Sequence, residues 1–348
     1  MSVRISKTVH VGSVAVGGGA RITVQSMLSR AADDLRGNVL QAETLERAGC
    51  EILRVAVPDS QSVALVPAIK EAVKIPLVAD IHFDYRLALA CAAAGVDAIR
   101  INPGNIGSDQ RIREVAAACS DRGIPIRIGV NSGSLEKDLL EKYGGPTAEA
   151  LAESALHHVS LLEKFHFEDI VISIKSSDVD RMIRANELAA NQCAYPLHLG
   201  VTEAGSERMG LIKSAIGIGS LLQRGIGDTI RVSLTADPVR EVVAGIDLLK
   251  ALSLRGGLRI VSCPTCGRTK IDLISITNEV EKRLAGFDKD LTVALMGCAV
   301  NGPGEAREAD IGIAGGDGVG LIFKKGKIVR KVPEDKLVES LIEEINRM

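Results

Sequence analysis

Ile126-Arg-Ile-Gly-Val-Asn131 reads as a strand with two unlike faces. Residues two apart share a strand face, so Arg127, Gly129 and Asn131 lie on one side and Ile126, Ile128 and Val130 on the other. An apolar face packs against helices, where a charge would be costly to bury. The cation therefore belongs on the face turned away from them. The same pattern recurs along the chain. Arg54 interrupts Ile-Leu-Arg-Val-Ala-Val, and Asp80 and His82 stand two apart in Val-Ala-Asp-Ile-His. Arg100 and Asn102 alternate in Ala-Ile-Arg-Ile-Asn, Ser173 and Lys175 in Ile-Ser-Ile-Lys, and Arg231 and Ser233 in Ile-Arg-Val-Ser-Leu. His198 sits between Leu197 and Leu199.

These segments belong to eight β-rich runs: Ile22–Gln25, Ile52–Val57, Leu77–Asp80, Ala98–Asn102, Ile126–Val130, Ile170–Lys175, Leu197–Val201 and Thr229–Leu234. Helical periodicity fills the gaps, as in Leu87–Ala94, Ile112–Ser120, Ala148–Lys164 and Val239–Leu252. Strand-helix alternation implies parallel strands with right-handed crossovers. Eight units predict an α/β fold, a (β/α)8 TIM-type barrel spanning residues 1–255. An open doubly wound sheet is the alternative, but it carries a glycine fingerprint after its first strand. Here Gly17-Gly18-Gly19 precedes the first strand and reads as a hairpin turn.

In a barrel the charged positions point into the lumen near the strand C-termini, where barrel active sites lie. Five cations (Arg54, Arg100, Arg127, Lys175 and Arg231) face two acids placed at the same rim, Asp80 and Glu203. Like charges at about 6 Å repel by a few kcal/mol per pair at an effective dielectric near 20. A polyanion as normal occupant removes that penalty. Arginine forks suit phosphate oxygens, so the pattern points to a small phosphorylated substrate, a diphosphate. A single strand arginine is more often an ion-pair partner, and a single histidine a satisfied core residue. Five strands of eight are not explained that way.

Beyond Gly256-Gly257 the pattern changes to a small α+β unit, residues 256–348. Its expected elements are strand Leu258–Ser262, helix Ile271–Leu284, strands Leu291–Met296 and Ile311–Ala314, a hairpin of Leu321–Lys324 and Lys327–Val332, and helix Pro333–Asn346. Two of its loops hold the remaining chemistry: Ser-Cys263-Pro-Thr-Cys266-Gly, and Met-Gly-Cys298-Ala-Val-Asn-Gly-Pro-Gly-Glu305. A C-x-x-C turn offers two thiolates to one metal centre, and Cys298 follows 32 positions later in a second glycine-rich loop. Structural zinc normally takes four Cys or His ligands, yet the last histidine of the chain is His198. Three thiolates with Glu305 as fourth donor suit an iron–sulfur cluster as well as zinc. A thioredoxin-like dithiol is the rival reading of C-x-x-C, and it leaves Cys298 unexplained. Cys50, Cys91, Cys119 and Cys193 lie in apolar or helical stretches and read as small core residues. The Lys324–Lys331 basic run reads as a solvated hairpin face.

Composition narrows the classes. The chain of 348 residues is 46% hydrophobic and 25% charged, with net charge −2, which is ordinary for a globular protein. Near neutrality and 2% aromatic residues give no nucleic-acid footprint. No apolar run reaches membrane-spanning length, and no signal-type h-region stands at the N-terminus. With seven cysteines, the expectation is a cytoplasmic protein in a reducing compartment.

Longer motifs now carry a family resemblance. They are Pro76-Leu-Val-Ala-Asp-Ile-His-Phe-Asp-Tyr-Arg-Leu-Ala-Leu89, Arg100-Ile-Asn-Pro-Gly-Asn-Ile-Gly107, Pro125-Ile-Arg-Ile-Gly-Val-Asn-Ser-Gly-Ser-Leu135 and Pro196-Leu-His-Leu-Gly-Val-Thr-Glu-Ala-Gly205. Gly225-Ile-Gly-Asp-Thr-Ile-Arg-Val-Ser-Leu234, Cys263-Pro-Thr-Cys266 and Gly297-Cys-Ala-Val-Asn-Gly-Pro-Gly-Glu305 complete the set. In this order, over almost the whole chain, they resemble the 4-hydroxy-3-methylbut-2-enyl diphosphate synthases of the methylerythritol phosphate route to isoprenoids, in their two-domain bacterial form.

The resemblance implies a [4Fe-4S] cluster on Cys263, Cys266, Cys298 and Glu305. It implies 2-C-methyl-D-erythritol 2,4-cyclodiphosphate as substrate, opened and dehydroxylated with two electrons from flavodoxin or ferredoxin. It also implies a homodimer, the barrel of one subunit capped by the cluster domain of the other. On that basis Arg54, Arg100, Arg127, Lys175 and Arg231 bind the diphosphate, with Asn102, Asn131, Ser173, Ser233 and His198 as neutral donors. Glu203 is the expected proton donor, and Asp80 or His82 the second acid or orienting group. One segment departs from the family pattern: after Val24-Gln-Ser-Met27 a threonine- and asparagine-rich run is usual, but here Leu28-Ser-Arg-Ala-Ala-Asp-Asp34 follows, and no site role is given to it. Two other classes stand beside the synthase: a zinc-bearing barrel lyase or aldolase, and a non-catalytic redox sensor of a phosphorylated ligand.

Overall fold

The computed structural model describes residues 4–287, 289–298 and 306–348. The chain divides into two compact units, one ending at Leu254 and the other beginning at Arg255.

The first unit opens with a hairpin, β1 (Val9–Val11) and β2 (Val14–Val16). Its turn is Gly12-Ser13, and the three glycines that follow take positive φ of 85°, 63° and 81° after β2. The expectation that they form the hairpin turn is thus corrected: they reverse the chain after the second strand. Val11 and Val16 pack against Ile52, Val78 and Ala98, the first or second residues of three barrel strands, so the hairpin plugs the N-terminal end of the barrel.

Then come β3 (Thr23–Met27), α1 (Leu35–Arg47), β4 (Ile52–Ala56), α2 (Leu65–Ala72), β5 (Leu77–Asp80) and α3 (Tyr85–Ala93). β6 (Ala98–Ile101), α4 (Pro103–Ile106), α5 (Asp109–Ser120), β7 (Ile126–Asn131), α6 (Lys137–Tyr143) and α7 (Ala148–Glu163) follow. β8 (Ile170–Lys175), α8 (Val179–Gln192), β9 (His198–Leu199), α9 (Glu207–Gln223), β10 (Thr229–Ile230) and α10 (Pro238–Ala251) complete the unit. The eight strands β3–β10 run in the order β8-β7-β6-β5-β4-β3-β10-β9, all parallel. A parallel bridge from Ile172 to Leu197 joins the two ends and closes the barrel. β9 and β10 are two residues each, shorter than the runs Leu197–Val201 and Thr229–Leu234 suggest. Arg231 still bonds through its N–H to Leu199 O at 3.0 Å, but Ser233 lies in the loop beyond.

Local chemistry sets the helix starts. Asp34, Asp84, Thr147, Asp178 and Asp237 each accept a bond from a first-turn N–H of their own helix, satisfying donors that a helix otherwise leaves open. The divergent segment 28–34 thus has a structural use: Leu28 is buried and Asp34 caps α1. Leu45, Ile69, Val115 and Leu151 are fully buried against the strands, each worth about 1.5–3 kcal/mol of removed apolar surface.

The second unit holds β11 (Leu258–Ser262), α11 (Leu273–Arg283), β12 (Leu291–Met296), β13 (Ile311–Gly315), β14 (Val319–Lys324), β15 (Lys327–Pro333) and α12 (Leu337–Asn346). The sheet runs β11-β12-β13-β14-β15, with the first three strands parallel and the last three antiparallel. Val293, Leu295, Ile311, Ile313 and Ile322 form a core with Val280 of α11 and Leu341 of α12.

Candidate active site

Register decides which lumen residues meet. Across β5, β6 and β7, Asp80 stands opposite Arg100 and Arg100 opposite Arg127, so the three form one layer. Arg100 Nη1 donates to Asp80 Oδ1 at 3.1 Å, and Arg54 Nε lies 3.5 Å from Oδ2. Burial pushes the Asp80 carboxyl up, but Arg54 and Arg100 pull it further down, leaving it below its ordinary value. Asp80 is thus a carboxylate in contact with two guanidinium groups. His82 Nε2 reaches the same carboxylate at 3.7 Å, from a side chain more than half exposed.

Gly129 makes this layer possible. A Cβ there would stand 2.0 Å from Arg100 Nε, so only glycine leaves space for the guanidinium, which also donates to Gly129 O.

Arg127 is 4% exposed and crosses the lumen. Nη1 donates to Gln25 Oε1 at 2.7 Å, and Gln25 Nε2 in turn donates to Thr229 Oγ1 at 2.9 Å. Arg127 Nε and Nη2 are buried with no partner among the described residues. So are both ring nitrogens of His198, which is fully buried. The ammonium of Lys175, a residue 6% exposed, faces the cations Arg54, Arg231, Arg127 and Arg100, and no side-chain hydrogen bond or ion pair holds it among the described residues. Burial first, and then the neighbouring cations, hold Arg127, Lys175 and His198 well below their ordinary pKa values. Arg54 falls to about 10 for the same first cause. His198 is therefore neutral at physiological pH. Buried polar groups are nearly always paired, so this concentration of unpaired polar atoms leaves the lumen with hydrogen-bonding capacity and positive charge of the kind an anion can satisfy.

Of the two acids expected at the rim, Asp80 stands there and Glu203 does not share its burial. Glu203 is exposed, in a loop, with φ of 51°, a left-handed conformation that non-glycine residues rarely adopt. The second buried acid is Glu241 of α10, 3% exposed. Its carboxylate takes Arg231 Nη2 at 3.0 Å and Nε at 3.2 Å, and accepts Leu234 N at 2.9 Å. Sequence reading passes over Glu241, although an acid on the apolar face of Pro-Val-Arg-Glu-Val-Val is a signal. It also misses Gln25, a polar residue two after Thr23 within a strand, and Met27, whose sulfur accepts from both Arg54 and Arg231. Asn102 and Ser173 are buried near the strand ends, while Asn131 and Ser233 are half-buried there. Asn102 Oδ1 accepts Gly104 N at 3.0 Å, capping α4.

In the second unit, pairing of Ser262 with Leu295 sets the ends of β11 and β12 side by side. Cys263 Sγ accepts Gly297 N at 3.1 Å, one residue before Cys298. The backbone N–H of Arg268 lowers the thiol pKa of Cys266. By contrast, burial pushes Cys50, Cys91 and Cys119 up to about 12. The C-x-x-C thiol thus favours the thiolate a metal needs, and the scattered cysteines do not. Among the described residues no three Cys, His, Asp or Glu side chains converge to ligand distance. Glu305 lies outside the described residues.

A family profile described as GcpE TIM-barrel domain matches residues 6–246, and another described as GcpE protein C-terminal domain matches residues 259–347. The chain belongs to the GcpE family. Its relatives include proteins named 4-hydroxy-3-methylbut-2-en-1-yl diphosphate synthase (flavodoxin). That of Clostridium tetani is 58% identical over 98% of both chains, and that of Clostridium acetobutylicum 59% identical over 99% of both. Among solved structures, a dihydropteroate synthase from Burkholderia cenocepacia covers 73% of this GcpE chain and 97% of its own, at TM-score 0.52 and 16% identity, a likeness of fold alone. No helix among the described residues is long and apolar enough to cross a membrane.

Proposed function

We propose that this GcpE protein reductively opens 2-C-methyl-D-erythritol 2,4-cyclodiphosphate and dehydroxylates it to 4-hydroxy-3-methylbut-2-enyl diphosphate. It shares at least 58% identity over nearly full length with two synthases named for that product. The observation that carries the substrate class is the group of unpaired polar atoms in the barrel: Arg127 Nε and Nη2, and the two ring nitrogens of His198, one of which donates in the neutral ring, with the buried Lys175 ammonium beside them. Two phosphates would restore those groups to charge balance and hydrogen bonding at once.

Arg54, Arg100, Arg127, Lys175 and Arg231 bind the diphosphate oxygens. Asp80 and Glu241 hold the forks of Arg54, Arg100 and Arg231 in place, so little ordering remains to be done on binding. Neutral His198 gives a hydrogen bond without adding a sixth charge, and Asn102, Asn131, Ser173 and Ser233 serve the polar part of the ring. Glu203, in its strained loop, delivers the proton with which the hydroxyl leaves as water, and His82 stands in reserve at the rim. Cys263, Cys266 and Cys298 fit a [4Fe-4S] cluster in donor type and thiolate character, with Glu305 as the fourth, exchangeable ligand. When bound, that cluster supplies the two electrons, drawn from flavodoxin, the donor printed in the relatives' names, or from a ferredoxin.

The chain acts as a cytoplasmic homodimer in this reading. Met209, Ile212 and Ile216 form an exposed apolar stripe on α9, of the kind a second subunit covers.

The test is anaerobic purification with iron, sulfide and zinc analysis, followed by turnover of the cyclodiphosphate with dithionite. About four irons and four sulfides per chain with turnover are expected. A colourless zinc protein would end the reading in favour of a barrel lyase. A loaded cluster with binding but no turnover would favour a redox sensor.

A further inference from the structure

Two loops at the mouth of the barrel rest on one pair, a buried histidine and a half-buried glutamate. His158 of α7 is fully buried, and its Nε2 stands 2.7 Å from Glu136 Oε1, an ion-pair contact whose angles fall outside hydrogen-bond geometry. Ser154, one turn earlier on α7, donates to the same oxygen at 3.1 Å. Glu136 begins α6 yet makes no side-chain cap to it; the carboxylate is committed to α7 instead. Burial pushes Glu136 up, but the contact with His158, a backbone N–H and Ser154 together pull it further down, to about 2.

Glu136 lies five residues beyond Asn131, at the end of the turn that leaves β7. The loop leaving β6 sits on the same pair. A Cβ on Gly104 would stand 2.7 Å from His158 Nε2 and 3.3 Å from both Glu136 Oε1 and Asn102 Oδ1. The Gly104 backbone therefore lies directly on the histidine–carboxylate contact, while its N–H is bonded to Asn102. One loop is tied to α7 through Glu136, and the other is seated on that tie.

We propose that His158 and Glu136 are positioning residues that fix the β6 and β7 loops together, and so fix Asn102 and Asn131 relative to the lumen cations. The proposal rests on the reading that substrate binds at this mouth. Neither residue touches the lumen layer of Asp80, Arg100 and Arg127; they act through the loop backbones.

Amide hydrogen exchange on the full chain tests the coupling without any turnover. Glu136→Ala should raise exchange about tenfold in both 104–107 and 132–136, the size of one lost buried hydrogen bond to a charged group. Exchange in 176–178 and 202–206 should stay unchanged. Glu136→Gln keeps an acceptor for Ser154 and His158 and should restore most of the protection. In kinetics with the cyclodiphosphate, Glu136→Ala and His158→Leu should each raise KM about tenfold with kcat within about twofold, and the double variant should be no worse than either. A rise confined to one loop, or spread over the whole barrel, would overturn the proposal, as would an unchanged KM. If His158→Leu does not fold, the two Glu136 variants decide. If the parent protein turns over no cyclodiphosphate, the substrate reading fails, and the exchange contrast still decides whether the pair holds the loops.

Discussion

Arg127 Nη1 donates to Gln25 Oε1 at 2.7 Å, joining β7 to β3, strands that stand opposite each other in the closed barrel. This bond leaves the rest of the guanidinium, Nε and Nη2, free of partners among the described residues. Gln25→Ala should therefore let the fork swing out of place. KM for the cyclodiphosphate is expected to rise about tenfold and stability to fall by about 1–3 kcal/mol, the cost of stranding a buried donor. Steady-state kinetics beside a thermal melt would check both. An unchanged KM would mean that the lumen cations need no cross-barrel strut.

Arg127 itself should cost stability and serve binding. Arg127→Met removes a buried charge that lies among other cations, so its desolvation cost and like-charge repulsion go with it, which should more than offset the donor lost by Gln25 Oε1. The ligand-free variant should melt higher than the parent. Inorganic diphosphate at 100 times its dissociation constant should stabilise the parent by about 2.7 kcal/mol, and the variant hardly at all. A variant that melts lower and still responds to diphosphate would contradict this account.

Gly129→Ala tests the space behind Arg100. The added Cβ would lie 2.0 Å from Arg100 Nε, whereas a Cβ on Gly133, four residues on, meets nothing within 4 Å. Gly129→Ala should displace Arg100 from Asp80 and raise KM by about tenfold or more, as one charge-assisted bond is lost. Gly133→Ala is the control and should leave KM within about twofold. Equal effects in the two variants would remove Gly129 from the site.

His198 gives the pH dependence a sign. Its native pKa lies well below the ordinary value of about 6.5 because it is buried among cations. The unfolded chain therefore takes up the proton first. The stability this group contributes is complete above about pH 6.5 and is lost as pH falls from there toward the native pKa, at no more than about 1.4 kcal/mol per pH unit. His198→Asn removes that titration, so its melting temperature should fall less steeply than the parent's between about pH 6.5 and 5. Parallel slopes would place the acid sensitivity elsewhere.

Much of the fold and of the site is legible in the amino-acid order alone. The period-two alternation in Ile126–Asn131, or in Ile170–Lys175, is a covalent property of an extended chain, so it assigns each side chain to a face without knowing the strand's neighbours. Eight such strands, with helical stretches between them, leave few ways to bury their apolar faces, and the closed barrel follows. The spacing of the two cysteine loops is just as local a feature. Pairing across the lumen is of another kind. That Arg127 meets Gln25, 102 residues away, depends on how the strands are staggered when the barrel closes, which no local pattern encodes. Glu241 joins Arg231 only because α10 packs with its first turn beneath that strand's end, and Glu203 moves out of the charge balance because its loop turns it to solvent. Alternation along the chain determines which residues face inward. Barrel closure and helix packing, which act between distant segments, decide which of them are paired and which stay open to a ligand.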